Sequence, residues 1–324
     1  MSRSREQSTD KQASGFSTGN FKPPTRRRLV AAVYEIGLLL IVLYTVISES
    51  PLAIDPDSKL VPLSVLGMAI DTNFLLLAPV SMVLKLLTCI AIGMWLLKQG
   101  GRWIYIAAPA LFIAFMSTVV ESQYFVRHQS HFCAMAFVLL GAARFSGTRK
   151  SDDSNQSTKP VVDPLPGWCF MLMVYYIGLS YTFSGIAKLC YSGIGWANGS
   201  SLMMWVESMA SGRDNLLFDL LTNHHWLASA LQTTTLAAEL FAIVILFAPR
   251  LRPVFGLVFV GFHMSIEILF GYGFFANIFL DTYILIVCFM VPEYRTTGFQ
   301  FFRELLSTGP TELFSPDGAN VAME

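Results

Sequence analysis

Charged residues are scarce in this sequence. Asp, Glu, Lys and Arg make up 14% of its 324 residues, whereas soluble domains carry about 25%. The 22 Lys and Arg residues balance the 22 Asp and Glu residues, so no overall basic charge favours a nucleic-acid partner. Hydrophobic residues fill 54% of the chain, and the mean hydropathy is +0.54. The deficit of charge therefore indicates a lipid bilayer as the surroundings of the chain.

Several motifs of soluble enzymes are also missing. The sequence has no P-loop, no G-x-G-x-x-G after a strand and no H-E-x-x-H. Its five cysteines lie in or beside apolar runs, and their number is odd. Their spacing fits neither a zinc site nor a disulfide framework, so we interpret them as small buried hydrophobic residues and expect no metal.

Long apolar runs are what the sequence has instead. A transmembrane helix needs about 20 mostly apolar residues, and eight runs are candidates. We predict an all-α, polytopic integral membrane bundle of about eight transmembrane helices. The candidate spans are residues 29–48, 74–97, 103–120, 129–145, 168–189, 232–249, 252–272 and 275–292.

The polar segments divide the chain into three parts. Residues 1–28 are rich in Ser, Thr and Arg, which predicts a disordered basic tail. Residues 29–293 form the transmembrane domain, in which a polar linker at 146–167 separates four spans from four. Residues 294–324 read as a short amphipathic piece and a disordered tail.

The loop charges predict the orientation. Lys and Arg concentrate in alternate loops, beginning with the three arginines at 26–28. By the positive-inside rule, both termini and the 146–167 linker are cytoplasmic, and the protein is a multi-pass protein of the cell membrane. The longest outer segment, 190–231, has an amphipathic pattern that predicts short helices lying at the membrane interface.

Ionisable residues inside the spans are the candidate functional groups. A charge at the bilayer centre costs about 2.5–3.5 kcal/mol, so such residues face a protein interior or a wet cavity. Lys188 stands near the outer end of the fifth span, and His263 and Glu267 share one helix face at i and i+4. The alternative is a set of ion pairs that only fix helix packing. The seven residues are Glu35, Lys85, Lys188, Glu239, His263, Glu267 and Asp281.

The segment around Lys188 resembles a known pattern. "SYTFSGIAKLCYSGIGWANGSSL" contains Gly-x-x-Lys-Leu, then Trp-x-x-Gly, here Gly185, Lys188, Leu189, Trp196 and Gly199. It is similar to a segment of the vitamin K-dependent γ-carboxylase-like family, also called the HTTM (horizontally transferred transmembrane) domain.

Two weaker matches extend the resemblance over most of residues 30–293. Phe262-His263, followed by a Gly-x-Phe step, resembles the family's paired helices. "RHQSHFCAMAFVLL" looks like the family's Asn-His segment, whose place either His128 or His131 could fill; we favour His131.

The resemblance implies functions for these residues. It makes Lys188 the candidate base and His131 a supporting polar group. We add His263 and Glu267 as candidate catalytic residues, because they share one helix face inside a span. It implies a reduced quinone as cofactor, with Trp196 and Phe262 as its binding residues. A lysine can act as a base when burial favours its neutral form.

The chain also departs from the carboxylases. They carry a large lumenal β-rich domain, and we expect this compact chain to lack it. In size it resembles bacterial members encoded with sporulation-delaying-type peptide toxins, which are needed for toxin maturation. The hypotheses are an enzyme acting on a peptide or quinone from the outer face, a non-enzymatic factor for maturation, export or immunity of a secreted peptide, and, least favoured, a small-molecule transporter. A thioredoxin-like protein is a further expected partner.

Overall fold

The fold is helical throughout the part of the chain that the structure describes. The computed structural model describes residues 26–50, 64, 77–123, 128–152, 165–209, 216–271, 273–303 and 306. Its regular structure is all helix, which confirms the predicted class. The α-helices are α1 (Arg26–Ser48), α2 (Ala78–Leu96), α3 (Ile104–Gln123), α4 (His128–Asp152), α5 (Gly167–Ser192), α6 (Ser200–Met209), α7 (Leu216–Asn223), α8 (His225–Phe241), α9 (Val244–Phe247), α10 (Arg252–Phe270) and α11 (Phe275–Leu280).

The predicted tails and linker are mostly beyond this description. Residues 1–25 of the predicted N-terminal tail, residues 153–164 of the linker and nearly all of the chain after residue 303 lie outside the described residues.

Among the described residues, six helices are long and apolar enough to cross a bilayer. They correspond to the first five predicted spans and to the seventh. The sixth predicted span, 232–249, is divided between α8 and the short α9. At this break the Thr182 hydroxyl of α5 accepts a hydrogen bond from the Ile243 backbone N–H, at 3.0 Å. A side chain of a neighbouring helix therefore replaces the lost helical bond.

The eighth predicted span is irregular as well. It begins with α11, continues as a π-helical stretch from Asp281 to Val287 and ends in a 3₁₀ turn at Met290. The apolar helix Phe275–Met290 is shorter than the other spans. At 1.5 Å per residue it is about 24 Å long, against about 30 Å for a bilayer core.

Helix α1 is apolar on both of its faces. Tyr34, Leu38 and Val42 are buried against the bundle, whereas Ile36 and Leu40 on the opposite face are more than half exposed. A soluble helix would carry polar residues on that second face. The exposed apolar stripe is the surface expected of a helix that faces lipid.

Small residues let the helices approach closely. Gly141 of α4 lies against the Tyr105 carbonyl and Pro109 of α3, and an added Cβ would overlap that carbonyl oxygen. Pro109 has no N–H to bond this carbonyl, which lies four residues earlier in the helix. Gly141 therefore permits the α3–α4 contact at the proline.

A buried arginine and a buried tyrosine hold the segment that follows the last span. Arg252 at the start of α10 is 2% exposed and donates to the carbonyls of Ile245, Tyr294 and Thr296 at 2.7–3.1 Å. Burial raises the pKa of Tyr294 to about 12, and the neutral phenol donates to the Leu165 carbonyl at 3.2 Å. These bonds attach the segment after the last span to the helices before it.

A small satellite layer covers one end of α10. Val206 of α6, Leu221 of α7 and Ala228 of α8 pack on Leu269 and Phe270. The described residues of the amphipathic segment 190–231 are thus almost all helical. They pack against the end of the bundle at which α5 ends.

Candidate functional site

One face of α5 carries the polar side chains of the site. Tyr181, Ser184 and Lys188 are spaced three and four residues apart, so they lie along one side of the helix. Gly185 lies on the same side, where an added Cβ would meet the Leu240 backbone nitrogen at 3.0 Å and the Glu239 Cβ at 3.1 Å. The missing side chain lets α8 approach α5 and bring Glu239 to Lys188.

Lys188 is the centre of a four-residue group at the C-terminal end of α5. Its Nζ donates to both carboxylate oxygens of Glu239 and to Ser184 Oγ at 3.0 Å. Ser184 in turn donates to Glu239 Oε1 at 3.4 Å. The Lys188 side chain is 24% exposed, whereas that of Glu239 is 4% exposed. The lysine side chain is therefore partly exposed, and a buried carboxylate holds its ammonium.

Trp196 completes this group. The helix ends at Ser192, and Gly193 takes a positive φ of 60°, a conformation that suits glycine. The following 3₁₀ turn, Gly193–Asn198, folds back and places the Trp196 ring 5.0 Å from Lys188 Nζ. This is a cation–π contact. The turn after α5 therefore explains how Trp196, although separated from Lys188 in sequence, comes to lie beside it.

A second polar group lies two turns deeper on the same face of α5. The Tyr181 hydroxyl donates to Asp281 Oδ2 at 2.8 Å and lies 2.7 Å from His263 Nε2. His263 Nε2 is 3.6 Å from Asp281 Oδ2, and Asn277 also hydrogen-bonds to Tyr181. Tyr181, His263, Asn277 and Asp281 are all at most 6% exposed.

Aromatic rings hold this second group in place. Phe259 stacks on Tyr181 with ring centroids 3.9 Å apart, and Phe274 stacks on His263 at 5.0 Å. Phe262 lies beside His263 at 5.1 Å. Phe262 is therefore part of the wall around His263.

Glu267 shapes the loop after α10. Its carboxylate accepts hydrogen bonds from the backbone N–H groups of Gly273 and Phe274, at 2.6 and 2.9 Å. Because Phe274 stacks on His263, this loop contact also positions the histidine. The sequence predicted that Glu267 acts beside His263, and the contacts described here make it a support for the ring that covers His263.

His131 lies on α4, apart from Lys188. Its Nδ1 is 2.6 Å from the Tyr176 hydroxyl. The neighbouring Phe132 contacts both Tyr176 and Tyr181, with centroid distances of 5.3 and 5.5 Å. His131 therefore borders the second polar group through aromatic contacts. The side chain of the alternative, His128, lies outside the described residues.

Three members of the two groups were not singled out from the sequence. Tyr181 and Ser184 precede Lys188 by seven and four residues, and Asn277 precedes Asp281 by four. Helical spacing from an intramembrane charge is thus the signal that identifies them. Within the described part of the chain, no cluster of three or more His, Cys, Asp or Glu residues could hold a metal ion.

The comparison with known families agrees with this arrangement. The HTTM domain model matches residues 68–291, more than two thirds of the chain. The chain belongs to the HTTM family. No curated protein and no solved structure matches it. In this HTTM protein the matched segment contains both polar groups, and α1 precedes it.

Proposed function

We propose that this HTTM protein is an integral membrane enzyme in which Lys188 takes a proton from the substrate. The proposal places both termini in the cytoplasm, as the loop charges predict, so that the C-terminal end of α5 faces the outside of the cell membrane. The observation that supports it most is the position of Lys188, whose side chain is partly exposed and whose Nζ is held between Glu239, Ser184 and Trp196.

The Lys188–Glu239 pair can exchange a proton. When the ammonium gives a proton to Glu239, the products are a neutral amine and a neutral carboxylic acid. Nζ donates to both oxygens of the Glu239 carboxylate, so the proton has a direct path between the two groups. The amine can then accept a proton from the substrate, and Ser184 keeps its nitrogen in place.

A reduced quinone is the cofactor that the resemblance to the carboxylases implies. The residues around Lys188 suit such a group, because Trp196 offers a planar ring beside the amine. Ile194, in the same 3₁₀ turn as Trp196, is exposed and adds apolar surface at this end of α5. A bound hydroquinone would supply two electrons to dissolved oxygen, the acceptor that the resemblance to hydroquinone oxygenation implies, and Lys188 would hold a proton that its hydroxyl releases.

Two variants test the proposal without leaving a buried charge unpaired. Lys188→Arg keeps the positive charge but cannot act as a base, since arginine is not deprotonated in proteins. The double variant Lys188→Met with Glu239→Gln replaces the pair with neutral groups of similar size. With the protein in lipid nanodiscs and a soluble hydroquinone added, we expect hydroquinone oxidation to fall at least about 100-fold in both.

Arg144→Lys serves as the matched control, because it alters the ion pair that Arg144 of α4 forms with Glu35 of α1. It should keep the activity within a few-fold of wild type. Full activity in both Lys188 variants, with normal abundance in the membrane, would show that the pair only fixes helix packing. Absence of hydroquinone oxidation in the wild-type protein would exclude the quinone as co-reactant.

The second candidate is a non-enzymatic factor for maturation, export or immunity of a secreted peptide. It is favoured by the exposed apolar residues of the layer formed by α6, α7 and the start of α8, which include Met204, Trp205, Leu216 and Trp226. In this case the Lys188 variants would remain functional in cells, and Trp205→Ser would not. A neighbouring gene for a secreted peptide or a thioredoxin-like protein would supply the partner for this assay.

A further inference from the structure

Two buried oxygen atoms near the start of the π-helical stretch lack hydrogen-bond partners among the described residues. They are Asp281 Oδ1 and Asn277 Oδ1. Asn277 is 1% exposed and Asp281 is fully buried. Residues four apart on a helix occupy one face, so both acceptors belong to the same side of this segment. An unpartnered buried polar atom costs about 1–3 kcal/mol, which calls for an occupant.

The donors nearby are already engaged. The Tyr181 hydroxyl gives its hydrogen to the other carboxylate oxygen of Asp281. Asn277 hydrogen-bonds to Tyr181, which directs its amide N–H₂ to the phenol and leaves its oxygen free. The site thus offers acceptor atoms and needs a positively charged or hydrogen-donating occupant.

The charge of Asp281 requires compensation as well. Among the described residues, His263 is the basic side chain within 4.0 Å of its carboxylate. Lys188 is paired with Glu239, and Arg252 donates to backbone carbonyls and the Met171 sulfur. The other titratable groups that act on this cluster are Tyr181 of α5 and, through Tyr181, Glu239 of α8.

The backbone at this point is irregular. Asp281 opens the π-helical stretch that runs to Val287. Single π-helical turns occur often at functional sites, and membrane transporters bind Na⁺ and protons where helices depart from regular geometry. Intramembrane carboxylates themselves mark ion or proton sites.

We propose that Asp281 and Asn277 form a binding site for a small monovalent cation, either a proton or Na⁺. A proton on Asp281 Oδ1 converts this acceptor into a donor and removes the buried charge. A Na⁺ ion accepts lone pairs from both oxygens, and carboxylate and amide oxygens are the ligands that hard cations prefer. The site goes beyond the Lys188 function and does not depend on it.

Thermal unfolding of the full chain in nanodiscs tests for Na⁺. If Na⁺ is the occupant, the melting temperature rises when NaCl replaces choline chloride at constant ionic strength. Asn277→Ala should then raise the half-saturating Na⁺ concentration about tenfold, since one ligand is lost. Asp281→Asn should abolish the effect, whereas Asp219→Asn, at an exposed site on α7, should leave it unchanged.

Infrared spectroscopy tests for the proton. If the proton is the occupant, the wild-type protein at pH 7 shows a protonated-carboxyl band that Asp281→Asn removes, and Na⁺ has no effect. Asn277→Ala should move this band to higher frequency because the carboxyl group loses its acceptor. This variant keeps Asp281, so the proposal stays testable if Asp281→Asn does not fold.

A third outcome would overturn the proposal. If Na⁺ does not stabilise the protein, the carboxyl band is missing and ¹⁵N NMR shows a doubly protonated His263, then Asp281 is neutralised by its own histidine. The site would in that case need no bound cation.

Discussion

Among the described residues, each half of the bundle has an ion pair between a lysine or arginine and a carboxylate, and the two pairs differ in chemistry. In the first half, Arg144 pairs with Glu35, and Trp95 Nε1 donates to the same carboxylate at 2.8 Å. In the second half, Lys188 pairs with Glu239. Both pairs join helices that are distant in sequence, so both contribute to packing.

The difference lies in the cation and its surroundings. Arginine remains charged and binds a carboxylate with a planar fork, which suits a permanent structural contact. Lysine can lose its proton when burial favours the neutral form. Lys188 is also the more exposed cation, at 24% against 13% for Arg144. An intramembrane ion pair therefore suggests a function when its cation can lose a proton and a substrate can reach it.

The largest expected effect comes from removing one cation. Lys188→Met leaves Glu239 buried and unpaired and should lower the free energy of unfolding by about 3 kcal/mol. Arg144→Met should cost about 2 kcal/mol, because Glu35 is 17% exposed. Denaturant unfolding in mixed micelles measures both values.

The double variants complete each cycle. Lys188→Met with Glu239→Gln, and Arg144→Met with Glu35→Gln, should recover stability to within about 1 kcal/mol of wild type. Double variants as unstable as the single ones would mean that lost packing, rather than an unpaired charge, sets the cost.

Glycine substitutions compare the helix contacts of the two halves and should have intermediate effects. Gly141→Ala forces a Cβ onto the Tyr105 carbonyl oxygen and should cost about 2 kcal/mol. Gly185→Ala meets its neighbours at 3.0–3.1 Å and should cost about 1 kcal/mol. The same unfolding assay ranks them, and Gly93→Ala, with open space around it, is the control. A larger loss of unfolding free energy at Gly185 than at Gly141 would contradict this ranking.

The tryptophans beside the two ion pairs are expected to differ, and Trp196 gives the smallest effect of all. Trp95→Phe keeps a ring but removes the hydrogen bond to Glu35, which should cost about 1.5 kcal/mol. Trp196→Leu removes the cation–π contact with the partly exposed Lys188 and should cost about 0.5 kcal/mol. If Trp196→Leu nevertheless weakens the apparent affinity for hydroquinone, its ring contributes to binding rather than to stability.

Much of the fold could be predicted from hydrophobic runs, but the irregular spans could not. The predicted spans at 29–48 and 168–189 closely match α1 and α5. The break between α8 and α9 depends on Thr182, a residue 61 positions away that accepts the freed N–H. The π-helical stretch after α11 could not be predicted either, because the apolar run that contains it has the composition of an ordinary span.

The candidate site, too, could be predicted only in part. Lys188 was identifiable as a charge in an apolar segment, and Glu267 as the residue one turn beyond His263. Their actual contacts lie elsewhere: Glu267 holds the Gly273–Phe274 loop backbone, and Lys188 meets a carboxylate on α8.

Local composition and periodicity are enough to predict the helical membrane class, the residues that share a helix face and the few charges that lipid would not tolerate. The contact of Lys188 with Glu239, and the bonds by which Tyr181 joins His263 to Asp281 across 82 and 100 residues, became visible once the helices were packed together. The physical reason is that nearly every helix face here is apolar, so hydrophobicity does not choose its neighbour. Shape at residues such as Gly185, together with the pairing of buried polar groups, makes that choice.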